Sequence, residues 1–390
     1  MTPNHKVYYG EYSLMYWIKL MLTGNITLPP YQRYFVWDDV QSRLLIQSFE
    51  HSYYIPAVTI ATVEDPTTHQ PKNIILDGQQ RLTSILLAYL GKYPVKRLTA
   101  PQRYAEEGDA QEGEEKKSEW NYTTLLSYGS DKTGILNDIA ANHPHDYNPF
   151  VVPGVTVDEP FLESHFLHFA YVVPDMTIDR RERNKYLTNV FYCINSHGTQ
   201  LSHLECRNAL YYQGGNNKET FDPAFSQRVK VNNAPMDFVR YLTIISNYKK
   251  VGEENFWAAM DIRSKREAFY VEFIRDFLTK SLDENTKLFK FTNYGANKNR
   301  IEPALTTLGL LDKDYTSIID LDVYYTGIFY YIMIEGKELD ATQWEAVKEQ
   351  LDTKKDEFTA NRKHRKRPAQ VGYVRDRVKA SIQLYEPLFP

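Results

Sequence analysis

The residues best suited to chemistry by type and spacing are Asp77-Gly78-Gln79-Gln80-Arg81. A strand read over Asn73–Leu76 runs into them. From Gln79 the apolar period becomes helical, with Leu82, Ile85, Leu86, Tyr89 and Leu90 on one face and Gly91 as a stop. Glycine permits the tight turn between strand and helix. The opening amides of a helix lack internal acceptors and sit at the positive end of its dipole, so such a turn can seat an anion. Asp77 and Gln80 also fit a capping box, which would satisfy the same amides locally. Arg81 opposes the dipole in the first turn at a cost of ~0.3–1 kcal/mol, and a bound phosphate would reverse that sign.

Two further segments carry suitable side chains. Tyr31-Gln32-Arg33-Tyr34, with Trp37, follows two prolines that forbid helix. Its arginine can clamp a phosphate or stack on a base, or pair with an acid while the arm packs on the domain. Asn195-Ser196-His197-Gly198-Thr199-Gln200 links two helical patterns. Asn195, Thr199 and Glu205 can reach a metal or a ribose from it, although Ser202 and Glu205 also read as a capping box. His143-Pro144-His145-Asp146 has ligand-type residues but no second cluster at metal-like spacing. Neither a Walker-type phosphate loop nor a G-x-S-x-G elbow is present, so the sequence suggests neither a P-loop NTPase nor an α/β-hydrolase.

The elements that position these residues read as α+β. Ser13 can cap a helix over 13–23 with Leu14, Ile18, Met21 and Leu22 on one face, and Gly24 ends it. Asp38 or Asp39 caps a second, with Val40, Leu44 and Leu45 expected to face inward. Ala57–Val63 reads as a strand, and residues 182–194 as a helix with Leu187, Val190, Phe191 and Ile194 on one face. The stretch 100–119 is acidic without apolar periodicity and reads as a solvated insertion. Residues 120–165 give no clear pattern. From about 220 the chain reads as largely helical, and Arg362–Arg367 forms a basic run that suits either DNA phosphates or a solvated face. The expected domains are 1–215 and 216–390.

Composition bounds the classes. The 390 residues carry 46 Lys+Arg against 50 Asp+Glu, a net charge of −4, so any basic face must be local. With 42% hydrophobic and 25% charged residues the chain is globular rather than disordered. No apolar run nears the ~18 residues of a membrane span, and no leader pattern is read, so a cytoplasmic location without membrane contact is expected. Cys193 and Cys206 are the only cysteines, which excludes a disulfide scaffold. Thirty tyrosines suit wet interfaces or nucleic-acid stacking as well as ordinary packing.

Taken together, Leu28–Arg33 with Trp37, Ile75–Thr83, and Ile194–Ser202 with Glu205 resemble the DGQQR-motif domain found at the N-terminus of GmrSD-type modification-dependent restriction systems. The resemblance covers roughly residues 10–215. It implies a ParB/sulfiredoxin-like domain with a small mixed sheet and flanking helices, followed here by a mainly helical C-terminal domain. It implies binding and hydrolysis of a nucleoside triphosphate with Mg²⁺, and action against invading, often modified, phage DNA. Carried over residue by residue, Asp77, Gln80 and Arg81 would serve the reaction. Gly78 and Gln79 would cradle phosphates with Tyr31, Gln32 and Arg33 of the arm. Asn195, Gly198 and Thr199 would complete the nucleotide site, and Glu205 would meet the metal. Many relatives carry an HNH nuclease domain; no such motif is found here, so any nuclease is expected on a partner chain. A non-hydrolysing nucleotide- or DNA-binding module is the alternative, and an endonuclease in its own right ranks third. Self-association as a homodimer stays open.

Overall fold

The computed structural model describes residues 4–29, 32, 34–64, 70–95, 120–195, 203–211, 218–255, 262–279, 291–368 and 370–390. The described residues up to Tyr211 form one compact unit, and those from Lys218 onward form another.

The first unit runs β1 (Lys6–Ser13), α1 (Leu14–Leu22), β2 (Ile26–Thr27), α2 (Asp39–Glu50), β3 (Val58–Glu64), β4 (Pro71–Asp77), α3 (Gln79–Leu90), β5 (Lys92–Pro94), α4 (Thr123–Leu126), α5 (Lys132–Asn142), β6 (Tyr147–Pro149), α6 (Glu159–Ser164), β7 (Phe166–Val173), α7 (Arg180–Asn195) and α8 (His203–Tyr211). Five strands make one mixed sheet in the order β1-β7-β3-β4-β2. The β1/β7 and β3/β4 pairs are antiparallel, while β3/β7 and β2/β4 are parallel. Strand alternation divides two cores. From β4, Ile75 joins Val58 and Ile60 of β3 in a core with Leu14, Trp17 and Ile18 of α1, Ile46 of α2, and Leu82, Ile85 and Leu86 of α3. Its neighbours Ile74 and Leu76 point to the other face, where Ala61, Val172 and Leu187 of α7 meet them. Helix α3 is thus held from the sheet side and by α1 and α2, and its start is fixed relative to the end of β4.

Local signals account for these elements. Ser13 caps α1, its hydroxyl accepting from the Tyr16 amide at 3.2 Å. Asp38, rather than Asp39, caps α2 in a full capping box with Gln41. That start sets the phase of α2 so that Ser42, Leu45, Ile46 and Phe49 turn inward. Val40 and Leu44, expected inside, are instead 55% and 56% exposed. Ser42 belongs inside because α2 and α3 meet closely there, where the Ser84 hydroxyl donates to the Ser42 hydroxyl at 2.9 Å. The unassigned stretch 120–165 holds α4, α5, β6 and α6, and the unpredicted β1 and β7 pair over their full length. The acidic insertion 100–119 lies outside the described residues.

The second unit is mainly helical. It contains α9 (Lys218–Phe221), α10 (Ala224–Gln227), β8 (Val229–Val231), β9 (Ala234–Pro235), α11 (Phe238–Asn255), α12 (Ile262–Thr279), α13 (Tyr294–Thr307), β10 (Lys313–Tyr315), α14 (Ile318–Phe329), α15 (Trp344–Ala360), α16 (Arg362–Lys366) and α17 (Val371–Tyr385). Every residue of α14 is buried, so it forms the axis of the unit. Gly327 lets α17 approach, since a Cβ there would stand 2.7 Å from the Ser381 carbonyl oxygen. No described helix is long and apolar enough to cross a membrane.

Candidate functional site

Strand β4 ends at Asp77, Gly78 turns the chain with φ 99°, and α3 begins at Gln79. Only glycine adopts that backbone readily. Space forbids a side chain as well, because a Cβ at Gly78 would lie 2.8 Å from Val58 Cγ2. The Gly78→Ala variant is expected to lose about 2–3 kcal/mol through backbone strain and overpacking together. A urea-unfolding midpoint equal to that of the parent would contradict this account.

The sequence pattern suggested a capping box here, but Gly78 is the N-cap and no side chain caps α3. The first intrahelical bond runs from the Leu82 amide to the Gly78 carbonyl at 2.9 Å. The amides of Gln79, Gln80 and Arg81 precede it and have no acceptor within the helix.

The four motif side chains are divided among three directions. Arg81 does not present a free guanidinium. It is buried; Nη2 donates to Asp77 Oδ2 at 2.5 Å, and Nη1 donates to the carbonyls of Pro56 and, at 3.3 Å, Ala57. Asp77 and Arg81 therefore neutralise one another and tie the turn to the chain entering β3. Gln80 faces the arm. Its Oε1 accepts from the amides of Val36 at 2.8 Å and Trp37 at 3.1 Å, and its Nε2 donates to the Tyr34 carbonyl at 3.0 Å. Gln32 secures the arm from the other side, donating to the Ile75 carbonyl at 3.3 Å.

Gln79 is different. It is 3% exposed, yet neither its Nε2 nor its Oε1 has a hydrogen-bond partner. One turn on, the Thr83 hydroxyl is buried without a partner too. Residues i and i+4 share a helix face, so α3 carries a buried polar stripe that nothing among the described residues satisfies. A buried amide of this kind costs about 1–3 kcal/mol when unpaired. Periodicity alone did not reveal it. The signal was a glutamine and a threonine one turn apart at the start of a helix whose later turns are apolar.

The other expected residues are less concentrated. Asn195 closes α7 and Glu205 lies within α8. Tyr31, Arg33, Gly198 and Thr199 fall outside the described residues. Among the described residues no group of three His, Cys, Asp or Glu is placed to hold a metal ion. His143 instead bonds Asp146 Oδ2 at 3.1 Å. A separate cleft lies between the outer ends of β3 and β4 and α7, lined by Thr62, Glu64, Pro71 and Arg183, but Arg183 is paired with Glu64 at 2.9 Å.

Comparison with known proteins agrees with the position of the motif. A protein described as uncharacterised from Methanocaldococcus jannaschii is 23% identical over 55% of this chain and 44% of its own length, so the chain matches less than half of that relative. The family model of the GmrSD restriction endonuclease N-terminal domain matches residues 18–212. That match spans half the chain and takes in the arm, the turn after β4, and α3. With the strand–glycine–helix turn built as described, the chain belongs to the GmrSD restriction endonuclease N-terminal domain family.

Proposed function

We propose that this chain is the nucleoside-triphosphate-binding component of a cytoplasmic DNA restriction system, and that nucleotide turnover gates a nuclease on a partner chain. The observation that carries the reading is the unpartnered, buried Gln79 amide beside three uncapped helix-opening amides. Backbone N–H groups at a helix start, aided by an amide side chain, suit phosphate oxygens. The residues fit a phosphate without Arg81 as a clamp. In this reading Asp77, Gln80 and Arg81 are positioning residues: they fix the turn and the arm, while Gln79 and the amides touch the ligand.

Magnesium fits less directly, because Asp77 is engaged by Arg81. The ion would arrive with the triphosphate as part of the substrate and neutralise its charge. Since no free carboxylate stands at the turn among the described residues, binding without hydrolysis is the second reading, and a phosphate-release assay separates the two.

Gln79→Leu tests the seat itself. It replaces an unsatisfied buried amide with an apolar side chain of similar volume, so the ligand-free protein is expected to gain about 1–2 kcal/mol. The same change should abolish the rise in melting temperature that Mg²⁺ with ATP, GTP, CTP or UTP gives the parent. If the variant still responds to nucleotide, the seat lies elsewhere. If the parent responds to none of the four, the nucleotide reading fails.

A further inference from the structure

The basic run in the second unit has a specific build. Asn361 Oδ1 accepts from the Lys363 amide at 2.9 Å and caps the short helix α16. At its centre His364 turns inward, its ring stacked on Phe358 at 4.9 Å and on Tyr373 at 4.3 Å. Beyond it the Pro368 carbonyl accepts from the buried Arg377 Nη2 at 2.7 Å. The segment is thus fastened at its start, middle and end.

Its five remaining side chains, Arg362, Lys363, Arg365, Lys366 and Arg367, are all exposed. None of them forms an ion pair or side-chain hydrogen bond with a described residue. Several cations elsewhere in the unit are matched: Arg228 with Asp312, Lys249 with Glu335, Lys354 with Glu357 and Lys355 with Asp356. One or two cations after α15 would suit its C-terminal dipole. Five adjacent ones without a carboxylate repel one another, in a protein whose net charge is −4.

We infer that this fixed basic display is a binding surface for the phosphate backbone of duplex DNA. The chemistry favours that partner over an anionic membrane. Among the described residues of the second unit no large apolar side chain is exposed, so its own surface offers none to enter lipid beside the display. It also lacks an exposed aromatic platform for unstacked bases, so backbone contact to duplex of any sequence is the expected mode. The surface lies outside residues 18–212, to which the family match is confined. It supplies the DNA contact that the proposed restriction role requires and rests on that role only for the identity of the polyanion.

The test uses the full chain and a fluorescein-labelled duplex of arbitrary sequence, followed by anisotropy from 50 to 200 mM salt. If all five cations meet phosphates, affinity should fall about 500-fold across that range. Changing the five to glutamine should leave the melting temperature in place, weaken binding at least tenfold at 50 mM, and flatten the log–log salt slope by about 4.5. Arg362→Glu with Arg365→Glu should weaken binding further than their neutral counterparts. Unchanged affinity in the five-fold variant, or parent protein that binds anionic phosphatidylglycerol vesicles but no duplex, overturns the inference. The nucleotide-induced melting shift of the same variant should match the parent, so failure of the DNA surface and failure of the nucleotide seat are read separately.

Discussion

Asp322→Ala is expected to destabilise the second unit by about 3–5 kcal/mol, the largest effect of any single substitution there. Asp322 lies on the axis helix α14 and is fully buried. Its Oδ1 accepts from Arg240 Nη1 at 2.6 Å and from the Tyr241 hydroxyl at 3.1 Å, and its Oδ2 accepts from Arg377 Nε at 2.9 Å. Removing the carboxylate strands the fully buried Arg377 guanidinium without its counter-charge. The loss should therefore greatly exceed that of an exposed ion pair, for which about 0–1 kcal/mol is usual. Arg377 also secures Pro368, so the basic segment should loosen in the variant and exchange its amides faster. A loss below about 1 kcal/mol in urea unfolding, the range of an exposed pair, would show that the cluster is not the anchor described.

The same cluster sets a pH dependence. Burial alone would raise the Asp322 carboxyl, but the Arg240 and Arg377 guanidiniums and their hydrogen bonds hold it below its usual value. A depressed folded-state pKa means stability is present above the unfolded value of about 3.9 and is lost as pH falls toward the folded one. Acid unfolding of the second unit should thus set in below about pH 4, and Asp322→Asn should remove that contribution.

What the sequence made legible follows from the range of the interactions involved. The turn from β4 into α3 was readable because a short apolar strand run gives way to period 3.6 across a single glycine, and all of that lies within about twenty residues. Ser13 and Asp38 announced their helices for the same reason. The facing of α2 was misread because Val40 and Leu44 look like core, whereas the buried contact is made by Ser42 against Ser84. β1 carries no inward alternation, since it is an edge strand with Tyr8 and Tyr9 exposed. The cluster at Asp322 was invisible because Arg240 and Arg377 stand 82 and 55 residues away. In the basic run, composition could not distinguish the one side chain that anchors, His364, from the five that face outward.

Arg81 brings these limits to the proposed site. Its type and place suggested a phosphate clamp, but its acceptors, the Pro56 and Ala57 carbonyls, come from a segment that local pattern does not connect to it. If Arg81 were a clamp, Arg81→Ala would spare the fold and remove only turnover. The geometry predicts otherwise. Truncation leaves two carbonyls and the Asp77 carboxylate without their donor, and should cost about 3–4 kcal/mol in the first unit. Arg81→Lys should recover little, because an ammonium cannot reproduce a planar fork that reaches a carboxylate and two carbonyls at once. The pairing with Asp77 gives a sharper test. Asp77→Ala should cost less once Arg81 is already alanine, with a coupling of about 1–3 kcal/mol in a double-mutant cycle. Nucleotide affinity should fall in step with stability across the four proteins, since the pair only holds the turn on which Gln79 sits. A stable Arg81→Ala protein that binds nucleotide but releases no phosphate would return Arg81 to the reaction and remove its positioning role.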